Sequence, residues 1–484
     1  MLYKIKYYHI KINMDMLNST NIYNFFKNCK NKIHKNEYQA KKRIMKIHGK
    51  YYDLTNYEHP GGPIAMMAAN GRDATALFES HHQFSNRNNI YEIMKKYEIR
   101  MNTEDEKYKE LMLPGEEENY NLFDWKETLS SEFTLELRDK VYKYFDKISK
   151  EQDIPIIKAI KANNQKWFEF YFFGGMTLLS FYHMIFSMSG FWSWINVVLF
   201  PVFYWLSGTM LHDGSHFAIS NNWRVNWYIQ YLFYIFSSPY VWLHQHVIGH
   251  HSYTNIDNKD PDLHHSPELF RYKNTTPWIK EYNGQEKTMH LYWPFAVIGN
   301  VNIHKPIQLL LTNYYNYCVY KIPLSIDRQF FNLFGRLCYI YIFLILPFIL
   351  FSFYEGIKFS IIPNMIYSIL FILNAQLNHF QDESIHSKSS NWFIHQIISS
   401  NDFGGLFHYY ASIGLNYQIE HHLFPSVNSC HYANLQKIIL GVCFKYGVNY
   451  NYREGYIDSL QDHFNYMKKI GTNPQESIII ENIE

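Results

Sequence analysis

Gln418-Ile419-Glu420-His421-His422, followed by Leu423-Phe424-Pro425, gathers two adjacent histidines and a glutamine in one short stretch. Two earlier stretches have the same character: His212-Asp213-Gly214-Ser215-His216 and His246-Val247-Ile248-Gly249-His250-His251. Residues three and four apart share a helix face. His212 with His216, His246 with His250, and Gln418 with His421 and His422 are therefore each expected to converge on one spot. Imidazole suits iron, copper and zinc, and its charge state at neutral pH permits ligation. A lone i,i+4 histidine pair is more often ordinary polarity than a ligand pair. Three clusters, two of them containing His-His, are not explained that way.

Apolar runs frame the clusters. Phe170–Met188 and Gly190–Leu211 are each long enough to cross ~30 Å of hydrocarbon, and the break at Ser187–Gly190 makes them a hairpin. His212 begins where the second run ends. Leu333–Phe353 and Ile357–Leu377 form a second hairpin, expected to turn at Glu355-Gly356. Asn226–Leu243 is apolar too, but if it crossed, His216 and His246 would lie on opposite sides of the membrane. It is expected to lie in the interface or partly buried, as is the shorter Leu291–Val301. Four spans put both chain ends and all three clusters on one side, and the basic leader makes that side cytosolic. The sequons at Asn18 and Asn274 should then stay unmodified.

His379, just past the fourth span, joins His212, His216, His246, His250, His251, His421 and His422. That many imidazoles exceed what one ion takes, so a two-metal site follows. The clusters hold no cysteine, which argues against an iron–sulfur centre, and His-Glu-x-x-His is missing, which argues against a zinc hydrolase. Glu79/His82 and Glu383/His386 have carboxylate-diiron spacing but are read as chance. Asp213 is expected to orient a histidine of the first cluster, and Asn378 and Gln376 to do so near His379. His244 should face away from His246. His264, His265, His386, His408 and His431 are expected to be surface or structural.

Composition restricts the function further. The 484 residues carry 45 Lys+Arg against 43 Asp+Glu, a net charge of +2, so no global field points to nucleic acid. A mean hydropathy of −0.30 would read as soluble, but the charge is concentrated in the first 165 residues and the tail. Cys29, Cys318, Cys338, Cys430 and Cys443 form no CxxC, which fits a reducing compartment. Residues 1–40 show neither period nor signal-peptide core and are read as a disordered leader.

From about Ala40 the pattern changes. Ile47 to Leu54 reads as a strand, a Gly-Lys turn and a second strand. His59-Pro60-Gly61-Gly62 builds a tight turn with a histidine at its mouth. A helix from Pro63 to Asn70 follows, then Gly71-Arg72-Asp73-Ala74-Thr75, in which Asp73 could cap a helix carrying Leu77, Phe78 and His81-His82. Two histidines facing across an apolar slot suit axial ligation of a haem; two unrelated surface histidines would look the same. The charged stretch from Thr103 to Asn119 reads as a solvated linker, and Phe123 to Lys150 as an amphipathic helix.

These residues carry two resemblances. Residues 45–100, through His59-Pro60-Gly61-Gly62, Gly71-Arg72-Asp73-Ala74-Thr75 and Phe78-Glu79-Ser80, resemble a cytochrome b5 domain. This implies haem b held by His59 and, with His81 in the place of a tyrosine, by His82. Roughly residues 165–445 resemble membrane fatty-acid desaturases, whose three histidine boxes match the three clusters. The fused b5 domain and Gln418 in place of the first histidine of box three resemble the front-end desaturases in particular. So do Gly249 to Asn255 with Asp260-Pro261-Asp262, and Gly414-Leu415-Asn416-Tyr417.

The resemblance implies two non-haem irons held by His212, His216, His246, His250, His251, His379, His421 and His422, with Gln418 at the ninth place; Gln418, His421 and His422 are also the candidate catalytic residues. The expected fold is a small α+β cytochrome b5-like domain followed by an all-α integral membrane desaturase domain with about four transmembrane helices. The boundaries read as leader 1–40, haem domain 41–105, linker and amphipathic helix 106–165, membrane domain 166–450 and tail 451–484.

The implied activity is insertion of a cis double bond into a polyunsaturated acyl chain, with Δ5 wording favoured over Δ4 or Δ6. The implied partners are an acyl lipid or acyl-CoA, O2, cytochrome b5 reductase and a membrane, that of the endoplasmic reticulum, and no nucleic acid. A Δ8-type sphingoid-base desaturase shares the architecture. A b5-fused fatty acid hydroxylase is a further alternative, which Gln418 and the box order disfavour. A haem carrier with a relic second half would show a broken box, and none is broken.

Overall fold

The computed structural model describes residues 42–102, 111–113, 119–187, 190–233, 238–264, 266–307 and 326–474. The leader with Asn18, most of the charged stretch from Thr103 to Asn119, and His265 lie outside these residues.

The amino-terminal unit is a three-stranded antiparallel sheet, β1 (Ile44–Ile47), β2 (Lys50–Asp53) and β3 (Glu98–Ile99), covered by α1 (Gly62–Ala69), α2 (Thr75–His81) and α3 (Arg87–Lys95). The hairpin turns at His48-Gly49, one residue before the expected Gly-Lys. Both have positive φ, 49° and 76°, the pair that matches strand twist in a tight hairpin. Met45, Ile47, Tyr52, Leu54, Met66, Phe78 and Met94 form the core. Asp73 is not the cap expected of it: Ala74 holds the N-cap position of α2, and Asp73, one residue earlier, accepts from the Thr75 amide at 3.1 Å and the Thr75 hydroxyl at 2.6 Å. Leu111, Met112 and Leu113 pack against Ile44 and bond back to Gly71, so that part of the expected solvated linker is buried.

The second unit is helical. After α4 (Trp125–Ser130) and the amphipathic α5 (Glu132–Gln152) come α6 (Asn164–Tyr182), α7 (Phe191–Ser215), α8 (Asp327–Leu350) and α9 (Phe353–Gln376). Among the described residues, α7, α8 and α9 are long and apolar enough to cross a membrane. The fourth expected span is α6, which packs along α7 and exposes Phe168, Tyr171, Phe172 and Leu178. Exposed Trp192, Phe330, Phe334 and Ile349 extend this apolar surface. Arg336, inside α8, is buried and donates to Asn302 Oδ1 at 2.9 Å, as a charge within a span requires.

Two boundaries differ from expectation. The α8–α9 turn falls at Phe351-Ser352; Gly356 lies inside α9, where a Cβ would meet Phe348 at 2.6 Å. Helix α7 does not stop at Leu211 but runs to Ser215, so His212 sits in its last turn. Asn226–Leu243 breaks into short pieces with Tyr228, Tyr231 and Leu232 exposed, as an interfacial segment would.

Helix α10 (Gln418–Leu423) is followed by α11 (Tyr432–Tyr446), which packs against it. The tail is no loose end: α12 (Tyr456–Gly471) buries Tyr466, Met467 and Ile470 against Met289 and Phe380.

Candidate functional site

All eight histidines and Gln418 come together, in two groups. His212, His216, His246 and His421 have ring nitrogens within 4.8 Å of one another, as do His250, His379 and His422. His251 Nε2 lies 3.3 Å from His246 Nε2, on the side of the first group. Gln418 Nε2 lies 2.9 Å from His379 Nε2 and 3.3 Å from His422 Nε2, within the second.

Local helix geometry decides which histidine goes where. On α10, Gln418 and His422 are four apart and share a face, while adjacent His421 is turned to the other group. The expected pairing of His246 with His250 does not hold. Leu243–His250 is a π-helix, whose turn spans i to i+5. His246 therefore meets His251, and His250 is released to face His379, with Nε2 atoms 3.2 Å apart. His212 and His216, on ordinary α-helix, do pair, with ring centroids 5.1 Å apart.

Outer contacts fix several rings. His250 Nδ1 donates to Asp260, at 3.0 Å and 3.2 Å from its two oxygens, with Asp262 at 3.5 Å. His421 Nδ1 faces the Tyr432 hydroxyl at 3.1 Å, which itself donates to the Val427 carbonyl. His422 Nδ1 faces Gln396 Oε1 and Thr254 Oγ1, both at 3.0 Å. His379 Nδ1 faces the Ser399 carbonyl at 3.3 Å. Each contact favours the tautomer with its proton on Nδ1, leaving Nε2 as a free donor toward the centre.

Burial holds His246, His251, His421 and His422 neutral, well below the usual imidazole value, and lowers His379 to about 3. Burial opposes charge on His250 too, but the Asp260 and Asp262 carboxylates outweigh it and raise that ring to about 9. Both nitrogens of His216, Nε2 of His421 and Oε1 of Gln418 are buried without a hydrogen-bond partner. Neutral nitrogen donors aimed at one another with no protons to share are what a cation would satisfy, and an imidazole-rich donor set fits iron.

Sequence reasoning missed Gln396, Thr254, Ser399 and Tyr432; nothing in their spacing distinguishes them. Asp260 stood out only as part of a resembling block. Of three expected orienters, Asn378 and Gln376 act elsewhere, and Asp213 divides its contacts. Asp213 accepts from Asn428 Nδ2 at 2.8 Å and Ser429 Oγ at 2.7 Å, tying the loop after α10 to α7, and stands 3.6 Å from His212. Asn378 bonds the Leu415 carbonyl and Gln376 the Tyr272 hydroxyl. His244 is turned from the cluster and bonds Arg72 of the amino-terminal unit at 2.9 Å.

An apolar cavity, partly open, runs to both groups. Trp205, Leu211, Trp242, Tyr367, Phe371 and Ile413 form its walls; His212, His246, His250 and Gln418 stand at its end.

In the amino-terminal unit, the His59 and His82 rings face edge to face, with centroids 5.8 Å apart. His82 Nδ1 donates to the Phe78 carbonyl at 2.9 Å, leaving Nε2 free. The Gly61 amide donates to His59 Nδ1 at 2.9 Å, so loading iron at Nε2 requires this ring to change tautomer. A Cβ on Gly61 would stand 2.9 Å from that nitrogen. His81 turns its Nδ1 toward Leu77 and Ser80 and is not opposite His59. Burial lowers His59 to about 4, so it is neutral and able to ligate. His82→Ala should therefore abolish a b-type absorption spectrum in the full chain and His81→Ala should preserve it; the reverse result would exchange their roles.

Sequence comparison agrees with this geometry. The profile described as fatty acid desaturase matches residues 189–454, and that of the cytochrome b5-like heme/steroid binding domain matches residues 30–101. The chain is 29% identical to acyl-lipid (8-3)-desaturase B of Dictyostelium discoideum, over 88% of this chain and 91% of that protein. It is 29% identical to a probable Delta(5) fatty acid desaturase C of the same organism, over 89% and 92%. It is 27% identical to an acyl-lipid (8-3)-desaturase of Mortierella alpina, over 90% and 95%.

Proposed function

Because the chain belongs to the fatty acid desaturase family, as a front-end member with an amino-terminal cytochrome b5 domain, we propose that it inserts a cis double bond into a polyunsaturated acyl chain at the Δ5-type position. The observation that carries this reading is the apolar cavity ending on both histidine groups. In the overall reaction two hydrogens leave adjacent carbons, and O2, two electrons and two protons complete the conversion to two waters. Bound iron would supply the O2 chemistry that side chains lack.

The chain's own residues do the rest. Trp205, Tyr367 and Phe371 bind the acyl chain and exclude water from the histidines. His212, His216, His246, His251 and His421 hold one iron. His250, His379 and His422, with Gln418 as weak ligand or hydrogen-bond partner, hold the second. Ligation by Gln418 needs its amide turned so that Oε1 replaces Nε2. His59 and His82 hold haem b, in a domain of about residues 41–105, and the desaturase domain spans about 166–450.

The Δ5-type position rests on relatives named (8-3) and Delta(5) desaturases, and their acyl-lipid names favour a lipid-bound substrate over acyl-CoA. The electron source is a cytochrome b5 reductase. The protein resides in the endoplasmic reticulum with both ends cytosolic, an arrangement that keeps the histidine segments on one side. Asn274 should accordingly carry no glycan; a glycan there would put the loop in the lumen and sink the topology. The functional test is expression in yeast fed defined polyunsaturated acids. A new double bond on the carboxyl side of an existing one is expected. A Δ4 or Δ6 product would revise the position, and a desaturated sphingoid base or a hydroxylated product would overturn the substrate or the reaction.

A further inference from the structure

Two segments lie side by side where the amino-terminal unit meets the helical one. Gln83 Nε2 donates to the Leu423 carbonyl at 2.7 Å, in a buried bond across 340 residues. Gln83 follows His82 directly, and Leu423 follows His422. The next residues also meet: the Phe84 and Phe424 rings lie 6.3 Å apart, and Phe84 packs edge-on against Phe145 at 5.3 Å. From the His82 ring to the His422 ring the path is therefore covalent except for one short hydrogen bond.

We propose that the Gln83–Leu423 hydrogen bond is the bridge over which electrons pass from the haem domain to the histidine groups. This rests on the reading of His82 as a haem ligand and His422 as an iron ligand. In each transit one electron leaves ferrous haem, which becomes ferric, and reduces one ferric iron of the histidine site to ferrous. A flavin reductase supplies the electron to the haem, and two transits serve each double bond.

His81 offers a rival route: it precedes His82, and its Nε2 is buried without a hydrogen-bond partner. The Gln83 route, by contrast, is bonded throughout.

The test uses full-length holoprotein and Gln83→Met, which keeps the side chain's length and removes the donor. Phe84→Leu serves as the packing control and His81→Leu as the rival-route control. Three quantities are read: the b-type spectrum with iron content, amide hydrogen exchange over residues 419–424, and the stopped-flow rate at which chemically reduced haem is reoxidised in air with substrate present. Gln83→Met should keep spectrum, iron and exchange protection while reoxidation slows about tenfold, one decade in rate. Phe84→Leu and His81→Leu should reoxidise at the wild-type rate.

Unchanged reoxidation in Gln83→Met would overturn the proposal. So would slowing matched by lost exchange protection, which assigns Gln83 to packing, or slowing in His81→Leu instead. Wild-type protein lacking the spectrum or the iron would be a different failure, that of the site reading itself.

Discussion

A chain carrying His422→Ala should make no desaturated product and should hold about half the wild-type iron, taking two ions per chain. The second group has three imidazoles, His250, His379 and His422, and the substitution leaves two. Gln418 would also lose its contact at 3.3 Å. The loss should exceed the ~10–100-fold that removal of an outer partner costs. The first group and the haem pair His59/His82 share no ligand with it, so the b-type spectrum should persist. Product per mole of protein, metal content and the Soret band on one sample decide the matter. Full iron occupancy in this variant would remove His422 from the ligand set.

The second large effect is expected from Asp260→Asn, which touches no iron. Asp260 accepts from His250 Nδ1, from the Asn255 amide at 2.7 Å and from the Asp262 amide at 2.9 Å. Asparagine nearly keeps the shape but removes the charge that makes His250 strongly basic, so Nε2 becomes a poorer donor. Product should fall ~10–100-fold while expression holds. A competition assay with a chelator should show weaker iron retention in the same preparation. Wild-type turnover in Asp260→Asn would leave Asp262 as the group that orients His250.

Residue spacing singled out the histidines that the structure gathers into two groups, because imidazoles grouped three and four apart are rare and chemically specific. It could not reveal their partition between two groups. His421 and His422 are adjacent in sequence but separated by the roughly 100° step of the helix, and His246 and His250 are separated by a π-turn that spacing does not encode. The outer partners were hidden for another reason. Ser399, Gln396 and Tyr432 are common residue types placed by tertiary contacts alone. The spans were legible from apolar length, but α7 extends through His212 and Asp213 because Asn428 and Ser429 donate to the Asp213 carboxylate in its last turn. The docked position of the amino-terminal unit was not legible, since it rests on packing between residues far apart in the chain, Ile64 and Ala68 against Trp227 and Val247 and Phe84 against Phe424, and on bonds such as Arg72 with His244 and Gln83 with Leu423.

Gly62 shows what that docking demands: φ is +76°, and a Cβ there would stand 2.3 Å from the Trp223 ring. The unit that needs this glycine is translated early, while its seat at Leu423 and Phe424 is translated late. At ~5–20 residues per second, the 340 residues between Gln83 and Leu423 take roughly 20–70 s to synthesise. During that interval the amino-terminal unit waits without its seat. Its face bearing Gln83 and Phe84 stays uncovered until the third histidine segment emerges, so the contact that joins the two units is made late in synthesis.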